Sequence, residues 1–316
     1  MKKILAILLV LVLALGMFTA CGGGAEEEAP ADDAKTIGYA SCNMNDTFQT
    51  YVAEAATAKA KELGYKIDIK DAQEDVVKQQ DQVNTMIEMG YDAIIVVPVD
   101  TSAMGPITDA VTAAGIPLVY VNRNPFGTEQ PPEGVYYVGS QEIVAGQLQG
   151  EYLVEKMGEK GGVGILMGIL SNEGAVKRTE GNEEVLSKYP DIKILAKEAG
   201  DWQSDKGMAL TENWLTAYGD QLTAILANND NMAIGALQAL EAAGRDDVIV
   251  MGVDAIPDAL NLVKEDKLDA TVLQDANGQG AGGVEVADKA VSGNAPDAIT
   301  WIDFVLITPE NVDEYL

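Results

Sequence analysis

The sequence contains no histidine and only two cysteines, Cys21 and Cys42, in 316 residues. Without imidazole, a serine or cysteine nucleophile has no histidine base to activate it. Zinc sites built from histidine and cysteine are excluded on the same count. Positive charge is scarce as well: 21 Lys and Arg stand against 50 Asp and Glu, a formal net charge of −29. Such an excess repels nucleic acid and anionic lipid. The longest apolar run, Ile4 to Leu15, falls short of the roughly 20 residues that a membrane-spanning helix needs.

That run has a different meaning. Lys2 and Lys3 precede it, and the small residues Thr19 and Ala20 lead into Cys21, the arrangement of a secretory signal peptide over residues 1–20. Phe18-Thr19-Ala20-Cys21 resembles the bacterial lipobox, in which the cysteine after the cleavage point receives lipid; Phe18 departs from the usual aliphatic residue. The plainer alternative is a cleavage site with an incidental cysteine. Gly22 to Ala34 (GGGAEEEAPADDA) holds no large apolar side chain and cannot bury enough surface to offset the entropy of ordering. Residues 21–34 therefore read as a lipidated cysteine and a solvated tether. The chain is expected on the cell membrane, anchored by lipid alone and facing away from the cytoplasm. With Cys21 lipidated, Cys42 has no disulfide partner.

Beyond the tether, short β-branched or aliphatic runs alternate with stretches of helical period, most of which stop at glycine. This is the βα pattern of parallel sheets. Strands are expected at Thr36–Ala40, Ile67–Ile69, Ala93–Val97 and Leu118–Val121, then at Gly134–Val138 and Val163–Met167. Further strands are expected at Ile192–Ala196, Leu222–Ala227, Val248–Val253 and Ala270–Leu273. Ala93–Val97 and Leu118–Val121 are apolar throughout, as burial on both faces requires. The fold class is α/β, with two doubly wound parallel sheets.

Ligands of such sheets bind beyond the carboxyl ends of the strands. The first series places Asn43, Asn45, Asp46 and Phe48, then Asp100, then Asn122 and Arg123 at those ends. The second series supplies Asn172 and Arg178, Trp202, Asn228, Asn229 and Asp230, Asp254, and Gln274. Most are planar hydrogen-bonding groups, joined by two aromatics. Adjacent sugar hydroxyls donate and accept, so carboxylate, amide and guanidinium groups engage them in pairs, while sugar C–H faces lie well on Phe48 or Trp202. Taken singly, each Asn or Asp has a plainer reading as a helix cap or turn former. Arg123 and Arg178 have one as surface salt bridges, and Trp202 as partial core packing.

The same residues carry a family resemblance running from about Thr36 to the C-terminus. Ile37-Gly38, Asn45-Asp46-Thr47-Phe48, Gly90-Tyr91-Asp92-Ala93-Ile94, Tyr136-Tyr137-Val138-Gly139-Ser140 and Leu226-Ala227-Asn228-Asn229-Asp230 are its blocks. Gly252-Val253-Asp254-Ala255 and Thr271 to Asn277 extend it. The chain resembles the periplasmic sugar-binding proteins of ABC transporters, especially the galactose/glucose-binding and ribose-binding types. The resemblance implies two lobes, residues 35–139 with 276–303 and residues 140–275 with 304–316. A three-segment hinge would join them near Gly139–Gln141, Gln274–Ala276 and Asp303–Val305. It implies that Asp46, Arg178, Asn229 and Asp254 bind sugar hydroxyls and that Phe48 and Trp202 sandwich the ring. Asn122, Arg123, Asn172 and Gln274 complete the expected set of ligand-binding residues.

Gln274 matches the ribose type. Cys42 stands where the galactose type has an aromatic, Val97 where it has an asparagine and Asn172 where it has a histidine, which argues against glucose or galactose. The galactose type also carries a calcium loop; here Lys156 to Gly164 supplies Glu159 as its one carboxylate, too few oxygen ligands for that ion. No metal or cofactor is expected.

The expected function is capture of a monosaccharide or related polyol by hinge closure, followed by delivery to the transmembrane subunits of an ABC permease. Such a chain acts as a monomer. The alternative is a sugar-sensing module for a chemoreceptor or sensor kinase. Two enzyme readings are weaker. Gly278-Gln279-Gly280-Ala281-Gly282-Gly283 fits the dinucleotide fingerprint G-x-G-x-x-G but lies near the C-terminus, not in the first βα unit. Paired carboxylates such as Asp46 and Asp254 have the chemistry of a glycosidase. The lobes also resemble the ligand-binding part of lactose-repressor-type regulators, but a signal peptide stands where their DNA-binding helices would be.

Overall fold

The computed structural model describes residues 34–316. Cys21, the leader and most of the tether lie outside the described residues. The first half of the chain forms β1 (Thr36–Ser41), α1 (Thr47–Glu62), β2 (Lys66–Asp71), α2 (Val76–Glu88), β3 (Ala93–Val96), α3 (Gly105–Ala113), β4 (Leu118–Val121) and β5 (Val135–Gly139). There follow α4 (Glu142–Met157), β6 (Gly161–Met167), α5 (Glu173–Leu186), β7 (Ile192–Ala199), α6 (Ser204–Tyr218), β8 (Leu222–Ala227), α7 (Asp230–Ala243) and β9 (Ile249–Asp254). The chain then continues through α8 (Pro257–Lys264), β10 (Ala270–Leu273), α9 (Ala276–Val291), β11 (Ile299–Trp301) and β12 (Val305–Ile307).

Two six-stranded sheets result, ordered β11-β5-β4-β3-β1-β2 and β12-β10-β9-β8-β6-β7. The fold is the expected α/β pair of doubly wound lobes, and its central strands are apolar for the expected reason. β3 (AIIV) and β4 (LVYV) are buried at every position because helices cover both faces of their sheet. At the edge, β2 (KIDIKD) alternates isoleucine with charge and is half-buried along its length.

In each lobe the strand order reverses once, between β1 and β3 in the first and between β6 and β8 in the second. A crevice opens at such reversals, beyond the carboxyl ends of the strands. The carboxyl ends of both sheets face one cleft. Three segments cross between the sheets: β5 to α4, β10 to α9, and β11 to β12. The short strands β11 and β12 add to the expected set, and β12 pairs antiparallel to β10, Val305 lying beside Leu273 and Ile307 beside Thr271, because the third crossing enters the second sheet at the carboxyl, cleft-facing end of its strands.

The glycine-rich segment Gly278–Gly283 lies inside α9, capped by the Asp275 carboxylate accepting from Gly278 N. Its glycines are packing residues. A Cβ on Gly280 would run into the Val52 carbonyl of α1, and one on Gly283 would press on Val121 of β4 at 2.7 Å. Small residues let α9 lie directly on α1 and on the first sheet.

Candidate functional site

The cleft between the lobes narrows to a cavity of about 30 Å³. Its walls are Asp46, Phe48, Gln49, Asn122, Arg123, Glu142, Asn172, Gly174, Arg178, Trp202, Asn229, Asp254 and Gln274. All ten residues of the expected ligand-binding set lie in this wall. Gln49, Glu142 and Gly174 join them. Other strand-end residues serve the scaffold: Asn43 accepts from Asn45 N, Asp100 caps a 3₁₀ turn, and Asn228 ties Gly168 N to Thr179. Asp230 is fully buried and accepts from Thr271 Oγ1 at 2.6 Å and from Ile256 N at 3.0 Å. Burial pushes its carboxyl up to about 7, against the pull of those hydrogen bonds.

The first lobe contributes a graded wall. Asp46 is the N-cap of α1, its Oδ1 accepting from Gln49 N at 3.2 Å, so the plain capping role is real and leaves the second oxygen free of that bond. Burial raises its pKa above the ordinary carboxylate range. Phe48 follows in the first helical turn, 5% exposed. Behind them, Gln49 Nε2 donates to Asn122 Oδ1 at 2.8 Å, and Asn122 Nδ2 donates to Gln279 Oε1 at 3.1 Å. Arg123 spends one terminal nitrogen on the Pro98 and Val99 carbonyls, at 2.9 and 3.2 Å, and lies 3.6 Å from Glu74.

The second lobe supplies the more charged wall. Arg178, on the second turn of α5, is 4% exposed. It donates from Nε to Glu142 at 2.6 Å, from Nη1 to the Asn228 carbonyl at 2.6 Å and from Nη2 to Gln274 Oε1 at 3.0 Å. Asp254 lies 3.7 Å from Nη1. Burial works against the guanidinium charge, but Glu142 and Asp254 hold its pKa above the ordinary value. Asp254 itself is pushed well up by burial despite Arg178. Asn229 caps α7 by accepting from Met232 N and donates to the Trp202 carbonyl at 3.3 Å.

Asn172 occupies the N-cap position of α5 but makes no capping bond. Its side chain accepts from Trp202 Nε1 at 2.9 Å and donates to the Val99 carbonyl of the first lobe at 2.9 Å. One amide thus holds the indole and bridges the cleft. Three wall residues sit in left-handed backbone: Asn122 (φ 67°), Trp202 (φ 67°) and Asp254 (φ 121°). Asn122 directly follows β4, Trp202 lies three residues past β7 and Asp254 is the last residue of β9, and strain of this kind clusters where side chains must be aimed into a site. Of the three residues marking departure from the galactose type, Asn172 lies in the wall and the other two fall differently. Cys42 and Val97 are fully buried in the apolar core of the first lobe, and burial pushes the Cys42 thiol up to about 12.

The wall is thus a set of fixed, paired hydrogen-bonding groups with an aromatic from each lobe, suited to a compact, polyhydroxylated molecule. Among the described residues, no group of three or more His, Cys, Asp and Glu has a metal-holding arrangement.

Comparison with known proteins agrees in extent. Residues 37–295 match the model of the periplasmic binding protein domain. A protein of Rhizobium meliloti named for rhizopine binding is 41% identical over 290 residues, which is 90% of this chain and 94% of that protein. A ribose import binding protein of Salmonella typhimurium is 33% identical over 274 residues, 86% of this chain and 90% of its own length. Among solved structures, an ABC transporter solute binding protein from Bacillus halodurans C-125 with bound myo-inositol superposes with a TM-score of 0.84. It is 40% identical and the match covers 89% of this chain and 96% of that one.

Proposed function

Because this chain belongs to the periplasmic binding protein family, a family of extracytoplasmic solute-binding proteins and not of enzymes, we propose that it captures a monosaccharide or related polyol by closing its two lobes. The captured solute is then delivered to the permease of an ABC transporter. The single observation that carries this reading is the composition of the cleft wall. Asp46, Phe48, Asn122 and Arg123 come from one lobe, Asn172, Arg178, Trp202, Asn229 and Asp254 from the other, and Gln274 from a crossing segment. A molecule touching both walls stabilises the state in which they are together, and its binding shifts the population toward that state.

Ring size and hydroxyl pattern follow from the same wall. Asp254 and Arg178 present acceptors and donors side by side, which suits vicinal hydroxyls taken two at a time. The relatives named for ribose, xylitol and rhizopine and the neighbour holding myo-inositol support a five- or six-carbon polyol, cyclic or open. In this reading residues 35–139 with 276–303 and residues 140–275 with 304–316 move as the two bodies. Cys21 carries the lipid that keeps the trap beside its membrane partner, and no helix among the described residues is long and apolar enough to cross a membrane itself.

The test is a calorimetric titration with D-ribose, D-glucose, D-galactose, xylitol and myo-inositol. At least one should bind saturably at one site and be recovered unchanged. Absence of binding across the panel would overturn the polyol reading, and chemical conversion of a bound compound would overturn the assignment as a carrier.

A further inference from the structure

Arg178 touches all three segments that cross between the lobes. Glu142, the first residue of α4 and the end of the first crossing, accepts from Arg178 Nε at 2.6 Å. Gln274, in the second crossing, accepts from Nη2 at 3.0 Å. Phe304, in the third, lies with its ring centroid 5.8 Å from the guanidinium carbon, while the Trp202 ring lies at 5.7 Å on the site side. Glu142 also closes a ring of hydrogen bonds by accepting from Gln274 Nε2 at 3.1 Å. It is a glutamate only 3% exposed, three residues past the end of β5, and belongs to none of the expected site residues.

We propose that Glu142 is a positioning residue, the group that fixes the Arg178 guanidinium against the three crossings and so makes solute contact at Arg178 bear on the hinge. The donor count supports this. Of the five guanidinium N–H groups, one goes to Glu142, one to the Asn228 carbonyl and one to Gln274. That leaves one N–H on each terminal nitrogen, with Nη1 already 3.7 Å from Asp254. The fork is turned so that its remaining donors serve the cavity side, and Glu142 supplies the charge-assisted bond that sets the rotation. Removing that carboxylate leaves a buried cation free to swing toward Asp254, closing the donor pair that would meet vicinal hydroxyls.

The local sequence provides a rescue. Gly174 stands four residues before Arg178, on the same helical face. A Cβ placed there would meet, as its three nearest atoms, the Glu142 carboxyl group and its Cγ at 3.5 to 3.8 Å. An aspartate at 174 therefore reaches the region that the Glu142 carboxylate occupies, but only once Glu142 is gone. Position 174 lies in the first turn of α5, where an acidic side chain suits the helix dipole.

The experiment is a four-member cycle of wild type, Glu142→Ala, Gly174→Asp and the double variant, each checked for folding by heat unfolding. The primary readout is the Arg178 Nε–H resonance in a nitrogen-15-edited spectrum, followed by affinity for D-ribose and myo-inositol. In Glu142→Ala the downfield Nε–H signal should collapse into the exposed-arginine range, and affinity for whichever polyol binds wild type should fall about 100-fold. Gly174→Asp alone should be destabilised by two carboxylates forced together. The double variant should recover the downfield signal and most of the affinity. An unchanged Arg178 resonance in Glu142→Ala, or a double variant no better than Glu142→Ala while still folded, would overturn the proposal. The affinity arm rests on the polyol reading and, where neither of these two binds wild type, uses whichever compound of the five-member panel does; if none binds, that reading is what fails, and the resonance still decides the positioning role.

Discussion

Asp254 faces the cleft with its carboxylate 3.7 Å from Arg178, and burial lifts its pKa well above the ordinary value. Beside the guanidinium, its carboxyl group is placed to meet paired hydroxyls, accepting from them and, when protonated, donating as well. Asp254→Ala should weaken binding of the best polyol about 100-fold, with the protein still folded because Glu142 continues to pair the Arg178 guanidinium at 2.6 Å and the burial cost of the Asp254 carboxylate is removed; calorimetry and heat unfolding check both. Glu173, the first residue of α5, is pushed to about 8 by burial and then by the Glu142 charge. Its folded pKa exceeds its ordinary value of 4.5, so the folded state binds the extra proton, and stability falls as pH rises from about 4.5 toward 8. Glu173→Gln should flatten that fall, which denaturant midpoints measured across the window would show. At this scale the sequence exposed the residues that follow strands, since position after an apolar run is visible in one dimension. Asp46 and Asn229 turned out to cap helices and to line the cleft at once. Gln49 and Glu142 escaped because they sit inside the first turns of α1 and α4, where nothing in the local pattern separates a wall residue from a surface one.

Among the elements, the central strands and the glycine-terminated helices were legible because burial on both faces and left-handed C-caps leave strong signals; α4 and α7 end at Gly158 and Gly244. β11 and β12 left none. β11 has three residues, none buried, with a threonine at its centre, and β12 (VLI), though apolar, is also only three residues long, shorter than the four to eight residues that mark a strand. The glycine cluster of α9 was open to two readings, and the helix decides for packing. Gly280→Val should destabilise the protein by about 2–4 kcal/mol through its clash with the Val52 carbonyl, seen as a lowered urea midpoint, while Gly278→Ala, near the α9 cap, should cost less.

The whole molecule joins two independently covered sheets at three crossings, and its reach across the cleft includes the Asn172 to Val99 hydrogen bond of 2.9 Å. The wall side chains Asn122, Asn172, Arg178, Asn229, Asp254 and Gln274 are all buried, so a ring sugar reaches them only when the lobes part, and capture is their return. Small-angle X-ray scattering of the protein, with and without a saturating concentration of the polyol that calorimetry identifies, measures that return directly. The account predicts a smaller radius of gyration with the polyol than without it, and no such contraction for Asp254→Ala at the same concentration. A radius of gyration unchanged by a polyol that demonstrably binds would contradict capture by closure.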